Sequence, residues 1–334
     1  MTVRQHTERA EELLLSPFAC KSRDSQGRVR EEEPCQVRTC FQRDVDRIVY
    51  CKAFRRLKHK TQVFLQPEGD HYRTRMTHTL EVTRIARTMA RALGLNEDLT
   101  EAGGLGHDLG HTPFGHAGER ALNAVMPGGF RHNRQSLRVV EVLEKEGDGL
   151  NLTYEVRRAI LCHTGSDKAE TLEGQLLWFA DRIAYINHDL EDAMRGGILY
   201  PLDVPIDLRE RLGYTNAQRI DTLVRDVIHQ SQGKNTICQS PEIAQAMDEL
   251  RTFLFDHVYR NPKAKGEEGK AEEMLLRMFE RYVKNPDLLP EDFQNIRYEQ
   301  GAERAACDYI AGMTDSYAVE KYNELFIPRA WTVK

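Results

Sequence analysis

The sequence predicts an all-α protein. Apolar residues recur at helical spacing along most of the chain, signals for helix starts and ends follow one another, and no segment shows the alternation typical of a strand. With 334 residues the chain can form one large domain or one domain with an appended subdomain. We divide it into residues 1–43, a helix and connector; residues 44–200, a helical core; and residues 201–334, a helical part that completes the fold and supplies oligomer contacts.

The helices are predicted in chain order from these local signals. Residues 1–16 form a short helix, and 17–40 form an irregular, charged connector. Helices then follow from Asp44, over 78–93, from Asn96 into the glycine-rich segment, and over 134–146, 154–162 and 175–194. Gly94 ends one helix, Ser240-Pro241 begins another, and 261–270 is predicted to be a polar loop.

The composition excludes several classes of protein. Charged residues make up 30% of the chain, so a membrane protein is not expected, and no apolar run reaches the roughly 20 residues of a spanning helix. The first residues lack the apolar core of a secretion or transit signal. The 7 cysteines are odd in number and form no CxxC pair. We therefore expect a cytoplasmic protein with free thiols.

The charge distribution leaves two interpretations open. A net charge of −5 and a pI of about 6.2 argue against a dedicated nucleic-acid-binding protein. However, two local clusters are basic, RRLKHK (residues 55–60) and HYRTRMTH (residues 71–78). They form either solvated helix faces or a surface that attracts a polyanion.

The segment GGLGHDLGHTPFGHAGER (residues 103–120) combines histidines, carboxylates and glycines in a way that packing does not explain. A divalent cation needs nitrogen and oxygen donors from separate helices, and His78, His107, Asp108 and Asp181 can supply them. Adjacent residues on a helix diverge by about 100°, so His107 and Asp108 share one ion only at a terminal turn. Asp181 lies between apolar residues, where a carboxylate is costly unless it is paired or metal-bound.

The motifs that contain these residues resemble those of a known family. The pattern H…HD…D resembles the metal tetrad of HD-domain phosphohydrolases. HDLGHTPFGHAGE (107–119) is the most specific segment; DRIVYCKAFRRLKHKTQVF (46–64), HNRQSLRVVE (132–141), ADRIAYINHDLEDA (180–193) and DYIAGMTDSYAVEKYNELF (308–326) also match. Together they resemble the bacterial dGTPase-like deoxynucleoside triphosphate triphosphohydrolases. This resemblance implies an HD-domain helical core.

The resemblance also implies a reaction and a set of residues. The family hydrolyses a dNTP to a deoxynucleoside and inorganic triphosphate, which controls the dNTP pool. The implied catalytic pair is His116 with Glu119, and His111 and His132 are further active-site histidines. The resemblance implies that Arg75 contacts the phosphates or the sugar, and that Tyr185, Asp189 and Gln62 contact the sugar. Lys60 and Arg55 are further candidates for the phosphates, although FRRL could equally form a structural salt bridge. Because Asp181, Tyr185 and Asp189 follow one another at intervals of four, they share one helix face.

Two other functions are compatible with the same residues. Another HD-domain phosphohydrolase, such as a 5′-nucleotidase or phosphodiesterase, would share the metal tetrad, and a non-catalytic nucleotide- or ssDNA-binding regulator could keep the fold. The cofactor is expected to be Mn²⁺ or Mg²⁺, with iron, cobalt or nickel also compatible with the donors. The family implies a homo-oligomer, a tetramer or hexamer, with ssDNA only as a possible secondary partner and no membrane.

Overall fold

A computed structural model of the chain describes residues 1–62, 73–261 and 266–328. In this part of the chain the regular structure is helical, and the only β-type pairing is two isolated bridges. The all-α prediction is therefore confirmed. The α-helices are α1 Val3–Leu14, α2 Cys40–Val49, α3 Lys52–Arg56, α4 Arg75–Leu93, α5 Glu97–Gly106, α6 Gly115–Val125, α7 His132–Arg138, α8 Tyr154–Cys162, α9 Leu172–Arg195, α10 Ile206–Leu212, α11 Asn216–Ser231, α12 Pro241–Leu254, α13 Glu268–Lys284, α14 Gln294–Gln300, α15 Ala302–Ala311 and α16 Asp315–Phe326.

Helix α5 lies at the centre of the core because it presents glycines to its neighbours. A Cβ atom on Gly103 would lie 2.6 Å from Leu177 of α9, and one on Gly106 would lie 2.6 Å from Ile160 of α8. On the side of α4, a Cβ atom on Gly104 would lie 2.7 Å from the hydroxyl of Thr83. These separations are below van der Waals contact, so three helices reach α5 only because the side chains are absent.

The local signals located most helix boundaries. Thr74, Asn96 and Ser240 accept hydrogen bonds from the backbone of the first turns of α4, α5 and α12, and Gly94 ends α4 in the left-handed conformation. The helix predicted from Asp44 instead begins at Cys40. It is interrupted after Val49, where the Cys51 thiol accepts a hydrogen bond from the Phe54 amide and starts α3.

Three other boundaries differ from the prediction. Helix α7 begins two residues earlier than expected and continues into a π-helical turn at Val139–Leu143 rather than an α-helix to 146. Of the loop predicted over 261–270, residues 262–265 lie outside the described residues, and Glu268 already belongs to α13. Helix α6 was not predicted, because Phe114 precedes it in a left-handed conformation with no side-chain cap to mark the start.

Apolar side chains form three connected regions around the central helix. One packs α4 and α9 against α10–α12, a second packs α2, α3, α5 and α8 together, and a third joins α6 to the C-terminal helices α13, α15 and α16. The C-terminal helices thus pack against the helix that follows the glycine-rich segment.

None of the helices described here is both long and apolar enough to cross a membrane.

A buried carboxylate attaches the N-terminal segment to the core. One carboxylate oxygen of Glu173, on α9, accepts hydrogen bonds from the Cys20 amide at 3.0 Å and the Asn96 amide at 2.9 Å. The other oxygen has no partner among the described residues. Burial raises the pKa of Glu173 to about 7.

Glu173→Gln should change how stability depends on pH. Between pH 4.5 and 7 the unfolded chain loses this proton while the folded chain keeps it, so the free energy of unfolding falls as pH rises. The higher pKa of Glu173 in the folded chain corresponds to about 3 kcal/mol of stability that the wild type loses as pH rises over this range. Glu173→Gln has no such proton to lose, so its stability should not fall in this way. Urea unfolding at pH 5 and pH 8 measures the difference, with the exposed Glu31→Gln as control. Parallel curves for wild type and Glu173→Gln would contradict the assignment.

Candidate active site

Three helices bring the four predicted metal ligands together. His78 lies in the first turns of α4, His107 and Asp108 follow the end of α5, and Asp181 lies in the middle of α9. The His78 Nε2 atom is 3.1 Å from Asp181 Oδ1. The His107 Nε2 atom is 3.8 Å from Asp108 Oδ1 and 3.9 Å from Asp181 Oδ1. The adjacent His-Asp pair therefore lies at a terminal turn, as the sequence required.

The hydrogen bonds of His107 prepare it to bind a metal. Its Nδ1 atom is 2.7 Å from the carbonyl oxygen of Gly104, which only accepts, so Nδ1 carries the proton. The Nε2 atom then has a free lone pair, is buried, and has no hydrogen-bond partner among the described residues. Ligating histidines commonly have this arrangement. The cluster of His78, His107 and Asp108 thus fits a divalent ion.

Arg75 balances the charge of this cluster. Its guanidinium donates a hydrogen bond to Asp108 Oδ2 at 2.8 Å, and both side chains are buried. Burial by itself raises the pKa of Asp108, but Arg75 and the neighbouring histidines bring it well below its usual range. In the same way, burial raises and His78 lowers the pKa of Asp181, with a net decrease. Both carboxylates are therefore ionised and able to bind a cation.

The cluster opens into a cavity of about 690 Å³. Its wall combines residues from the core and the C-terminal part. Of the residues predicted for the site, the cavity is lined by Gln62, Arg75, His78, Asp108, His111, His116, Glu119, His132, Asp181, Tyr185 and Asp189. A single cavity thus contacts residues assigned to the metal, to catalysis and to the sugar.

A row of histidines and one glutamate extends from the metal cluster. His111 is buried and stacks on His132 with 4.7 Å between ring centroids. Both oxygens of Glu119 are 3.1 Å from His132 Nδ1, and one is 3.5 Å from His116 Nδ1. Burial raises the pKa of Glu119, but His116 and His132 lower it strongly, so the carboxylate is ionised. The His116 side chain is 66% exposed and free to meet a ligand.

His163 is a site residue that the sequence analysis missed. It follows α8, lines the cavity, and lies with its Nε2 atom 3.2 Å from His132 Nε2. Its ring also packs edge-on against His107 with 4.9 Å between centroids. The segment CHTG, a histidine directly after a predicted helix, was the available signal.

The face of α9 beyond Asp181 points into the cavity as its spacing predicted. Tyr185 and Asp189 both line it. Asp189 Oδ2 accepts a hydrogen bond from the hydroxyl of Tyr259, whereas Oδ1 has no partner among the described residues. Burial raises the pKa of Asp189 to about 7 and that of Tyr185 to about 12. Tyr259 comes from the π-helical turn Phe255–Tyr259 after α12, which no sequence signal placed near α9.

The basic residues of the cavity differ from the predicted set. Lys60 is buried outside the cavity, where its ammonium donates hydrogen bonds to the carbonyls of His111 and Ala311. Arg55 is exposed and donates to the carbonyls of Tyr50 and Cys51, also away from the cavity. Neither is placed to contact a ligand there. The cavity is lined instead by Arg75 together with Arg120, Arg131, Arg182 and Arg251.

Comparison with known proteins now defines the family. Residues 75–186 match the HD domain, and residues 237–324 match the phosphohydrolase-associated domain. A deoxyguanosinetriphosphate triphosphohydrolase-like protein of Caldanaerobacter subterraneus subsp. tengcongensis is 59% identical over 331 residues, which cover 99% of this chain and 98% of that protein. The chain belongs to the deoxyguanosinetriphosphate triphosphohydrolase-like family. The resemblance found in the sequence motifs is thereby confirmed.

Other members of this triphosphohydrolase-like family show the same full-length match. The similarly described protein of Desulfatibacillum aliphaticivorans is 50% identical over 351 residues, covering 98% of this chain and 99% of that protein. Among solved structures, a phosphohydrolase of Bacteroides thetaiotaomicron superposes with a TM-score of 0.53 at 17% identity, covering 84% of this chain and 67% of that chain. That likeness supports the helical fold.

A buried aspartate connects the two matched segments of this triphosphohydrolase-like chain. Asp315, the first residue of α16, accepts a hydrogen bond from the Phe114 amide at 2.9 Å with one oxygen. Its other oxygen accepts from the amide of Thr61 at 2.9 Å and from the Thr61 hydroxyl. Phe114 directly precedes α6, which carries His116. The carbonyl of Thr61 in turn accepts from Arg75 at 3.2 Å. Asp315 therefore positions two segments of the cavity wall, those at Gln62 and Phe114.

Asp315→Asn should destabilise these two segments of the cavity wall. One of the two accepting oxygens becomes an NH₂ group that faces a backbone N–H, which costs about 1–3 kcal/mol. The melting temperature and the rate of hydrolysis should fall while bound metal is retained, because no metal ligand changes. Glu320→Gln removes a similar charge from the exposed face of the same helix and should shift stability by less than about 0.5 kcal/mol. Equal melting temperatures for the two variants would contradict this role.

Proposed function

We propose that the protein is a metal-dependent deoxynucleoside triphosphate triphosphohydrolase, which releases a deoxynucleoside and inorganic triphosphate. One observation carries the proposal. A buried His/Asp cluster, a His/Glu pair and a Tyr/Asp pair all face the same cavity of about 690 Å³. The relatives that are similar over the whole chain are described as triphosphohydrolase-like proteins, and this cavity has the groups such a reaction requires.

The proposed metal ligands are His78, His107, Asp108 and Asp181. A bound divalent ion polarises a phosphate oxygen and makes water more acidic. We propose Mn²⁺ or Mg²⁺ as the native ion. Two imidazoles and two carboxylates suit these ions and are also compatible with iron, cobalt or nickel.

His116 is the proposed proton-transfer group. It lies beside Glu119, whose ionised carboxylate is 3.5 Å from His116 Nδ1 and can orient the imidazole. Glu119 is itself held by the backbone amide and the ring of His132. His116 thus has a fixed direction and an exposed face from which it can give a proton to the departing oxygen or accept one from water.

The triphosphate is proposed to bind the guanidinium groups of the cavity together with His111 and His132. Arg75 is committed to Asp108, but neither Arg131 nor Arg182 makes an ion pair among the described residues, and both line the cavity. The guanidinium of Arg182 lies 3.7 Å from the ring centroid of Trp178, which holds it in place without neutralising it. Arginines without an acidic partner are suited to bind phosphate oxygens.

The deoxyribose is proposed to lie against α9. Asp189 Oδ1 and Gln62 Oε1 are buried acceptors without partners among the described residues, and sugar hydroxyls can supply the missing hydrogen bonds. The ring of Tyr185 would then contact the 2′-carbon and leave no space for a 2′-hydroxyl. This contact would exclude ribonucleotides by steric conflict rather than by a lost hydrogen bond.

Product analysis tests this function directly. The purified protein is mixed with each dNTP, GTP and ATP in the presence of Mn²⁺ or Mg²⁺, and nucleosides are separated from phosphates. We expect deoxynucleoside and intact triphosphate from dNTPs and little turnover of ribonucleotides. Monophosphate or diphosphate products would instead favour another HD-domain phosphohydrolase, a 5′-nucleotidase or phosphodiesterase. Nucleotide or ssDNA binding without turnover, under every metal tested, would favour a regulator.

Two variants serve as controls for this assay. Asp108→Ala should lose bound metal and turnover together, because it removes a ligand and leaves Arg75 unpaired. His116→Ala should keep its metal and lose about 10²–10⁴-fold in rate, the usual contribution of a general acid or base. Normal activity in Asp108→Ala, or loss of metal in His116→Ala, would show that the roles are wrongly assigned.

We also propose that the protein is a cytoplasmic homo-oligomer, a tetramer or hexamer with contacts from the C-terminal part. Its cysteines are free thiols, which is typical of a reducing compartment. Large apolar side chains are exposed between α9 and α11, notably Tyr200, Leu202, Ile206 and Tyr214. Burial in an interface would remove them from water. Sedimentation velocity should therefore give four or six chains, and a monomer would contradict the proposal.

A further inference from the structure

A phenylalanine of the cavity wall has no part in the contacts proposed so far. In the described part of the chain three phenylalanines line the cavity, and two of them, Phe114 and Phe130, are buried at 6% and 5% exposure. The third, Phe255, is 46% exposed. A phenyl ring neither ligates a metal nor pairs with a phosphate group, so the metal cluster and the triphosphate do not explain it. A flat ligand that covers the ring would remove its apolar surface from water.

Phe255 lies beside the groups that are proposed to hold the deoxyribose. Its ring packs edge-on against that of Tyr259, with 5.3 Å between the ring centroids. The hydroxyl of Tyr259 in turn donates a hydrogen bond to Asp189, the proposed partner of a sugar hydroxyl. The base of a nucleotide is bonded directly to its sugar. A nucleotide whose sugar contacts Asp189 can therefore place its base on the Phe255 ring.

Arg251 supplies a hydrogen-bond donor next to this ring. Arg251, Phe255 and Tyr259 follow one another at intervals of four, and all three line the cavity. The Nε atom of Arg251 is buried and has no hydrogen-bond partner among the described residues. The exposed carboxylate of Asp248 is 3.5 Å from this atom, beyond the usual N–H···O distance. A buried guanidinium N–H requires an acceptor, and a bound ligand can provide one.

A guanidinium group distinguishes bases by their edges because it only donates hydrogen bonds. Guanine presents two acceptors on one edge, O6 and N7, and thymine presents the acceptor O4. Adenine and cytosine have amino groups, which donate, at the corresponding positions. An amino group that faces Arg251 would oppose one donor to another and leave the guanidinium without an acceptor there.

We propose that the cavity contains a base-recognition site, in which Phe255 stacks on the base and Arg251 donates hydrogen bonds to its edge, so that keto bases are preferred to amino bases. This inference rests on the proposed function, because the bound dNTP places the sugar. Stacking on an aromatic ring accepts any base, since every base has a π-face. The discrimination therefore comes from Arg251, which favours guanine and thymine over adenine and cytosine.

A comparison of dNTPs with inorganic triphosphate, which has no base, tests the stacking. The consumption of each dNTP gives KM, and inhibition by inorganic triphosphate gives its Ki. Phe255→Ala should raise KM for all four dNTPs by about 5–150-fold and leave the Ki of triphosphate unchanged. Phe255→Tyr keeps a ring and should behave as the wild type, as should Phe18→Ala, which removes an exposed ring outside the cavity. An unchanged KM in Phe255→Ala, or an equal rise in KM and Ki, would overturn the stacking.

Two nucleotides that differ at one position of the base test the role of Arg251. Deoxyinosine triphosphate has an oxygen where dATP has its 6-amino group, and the wild type should prefer it by about 5–150-fold in kcat/KM. Arg251→Met should bring this ratio close to one without changing the Ki of inorganic triphosphate. Arg225→Met, on the exposed surface of α11, should keep the wild-type ratio.

The wild-type ratio by itself can overturn the edge recognition, because a value close to one does not depend on any variant. A higher Ki of triphosphate in Arg251→Met would also overturn it, since Arg251 would then contact phosphate. These readouts follow nucleotide consumption, so they remain valid if monophosphate is released and the proposed triphosphohydrolase reaction is wrong. If no nucleotide is consumed, equilibrium dialysis gives the same ratios as dissociation constants.

Discussion

The close packing of α4, α8 and α9 against α5 is the constraint on which the site depends. With Gly103, Gly104 and Gly106 in place of larger residues, the three neighbouring helices approach α5 more closely than a Cβ atom would allow. A side chain at any of these positions would force the helices apart at a cost of about 1–3 kcal/mol. The ligands on α4, α5 and α9 would then separate, because each is attached to a different helix. Packing in the core therefore sets the distances in the metal cluster.

Arg75 balances the negative charge of the carboxylates that this packing brings together. It pairs with Asp108 and donates hydrogen bonds to the carbonyls of Thr61 and Gln62, so one side chain links the metal cluster to the segment at Gln62 in the cavity wall. Asp315, in the C-terminal part, accepts hydrogen bonds from the Thr61 amide in the same segment and from the Phe114 amide. The region matched by the phosphohydrolase-associated domain thus supports the HD domain through buried hydrogen bonds, which are most costly to break where water cannot replace them.

The cavity wall carries both carboxylates and arginines. Carboxylates of Asp108 and Asp181 gather where cations are expected, whereas Arg131 and Arg182 lie on the cavity wall without acidic partners among the described residues. A ligand that carries phosphates can satisfy both sets at once: its oxygens meet the arginines and the cation. The rings of His132 and His163 are held by hydrogen bonds of their Nδ1 atoms with Glu119 and with the carbonyl of Ile160, so this part of the arrangement is in place before a ligand binds.

The sequence by itself determined the helical class and most helix ends, because capping residues and apolar spacing act over short distances. It also predicted four metal ligands, whose side chains the fold brings together. Only the tertiary structure decided which other side chains meet them. Lys60 is drawn away from the cavity by the carbonyl of Ala311, 251 residues later, and Tyr259 reaches Asp189 from a turn 70 residues away. His163 joins the site for the same reason. Such contacts depend on how distant helices pack, and local sequence patterns carry no record of that packing.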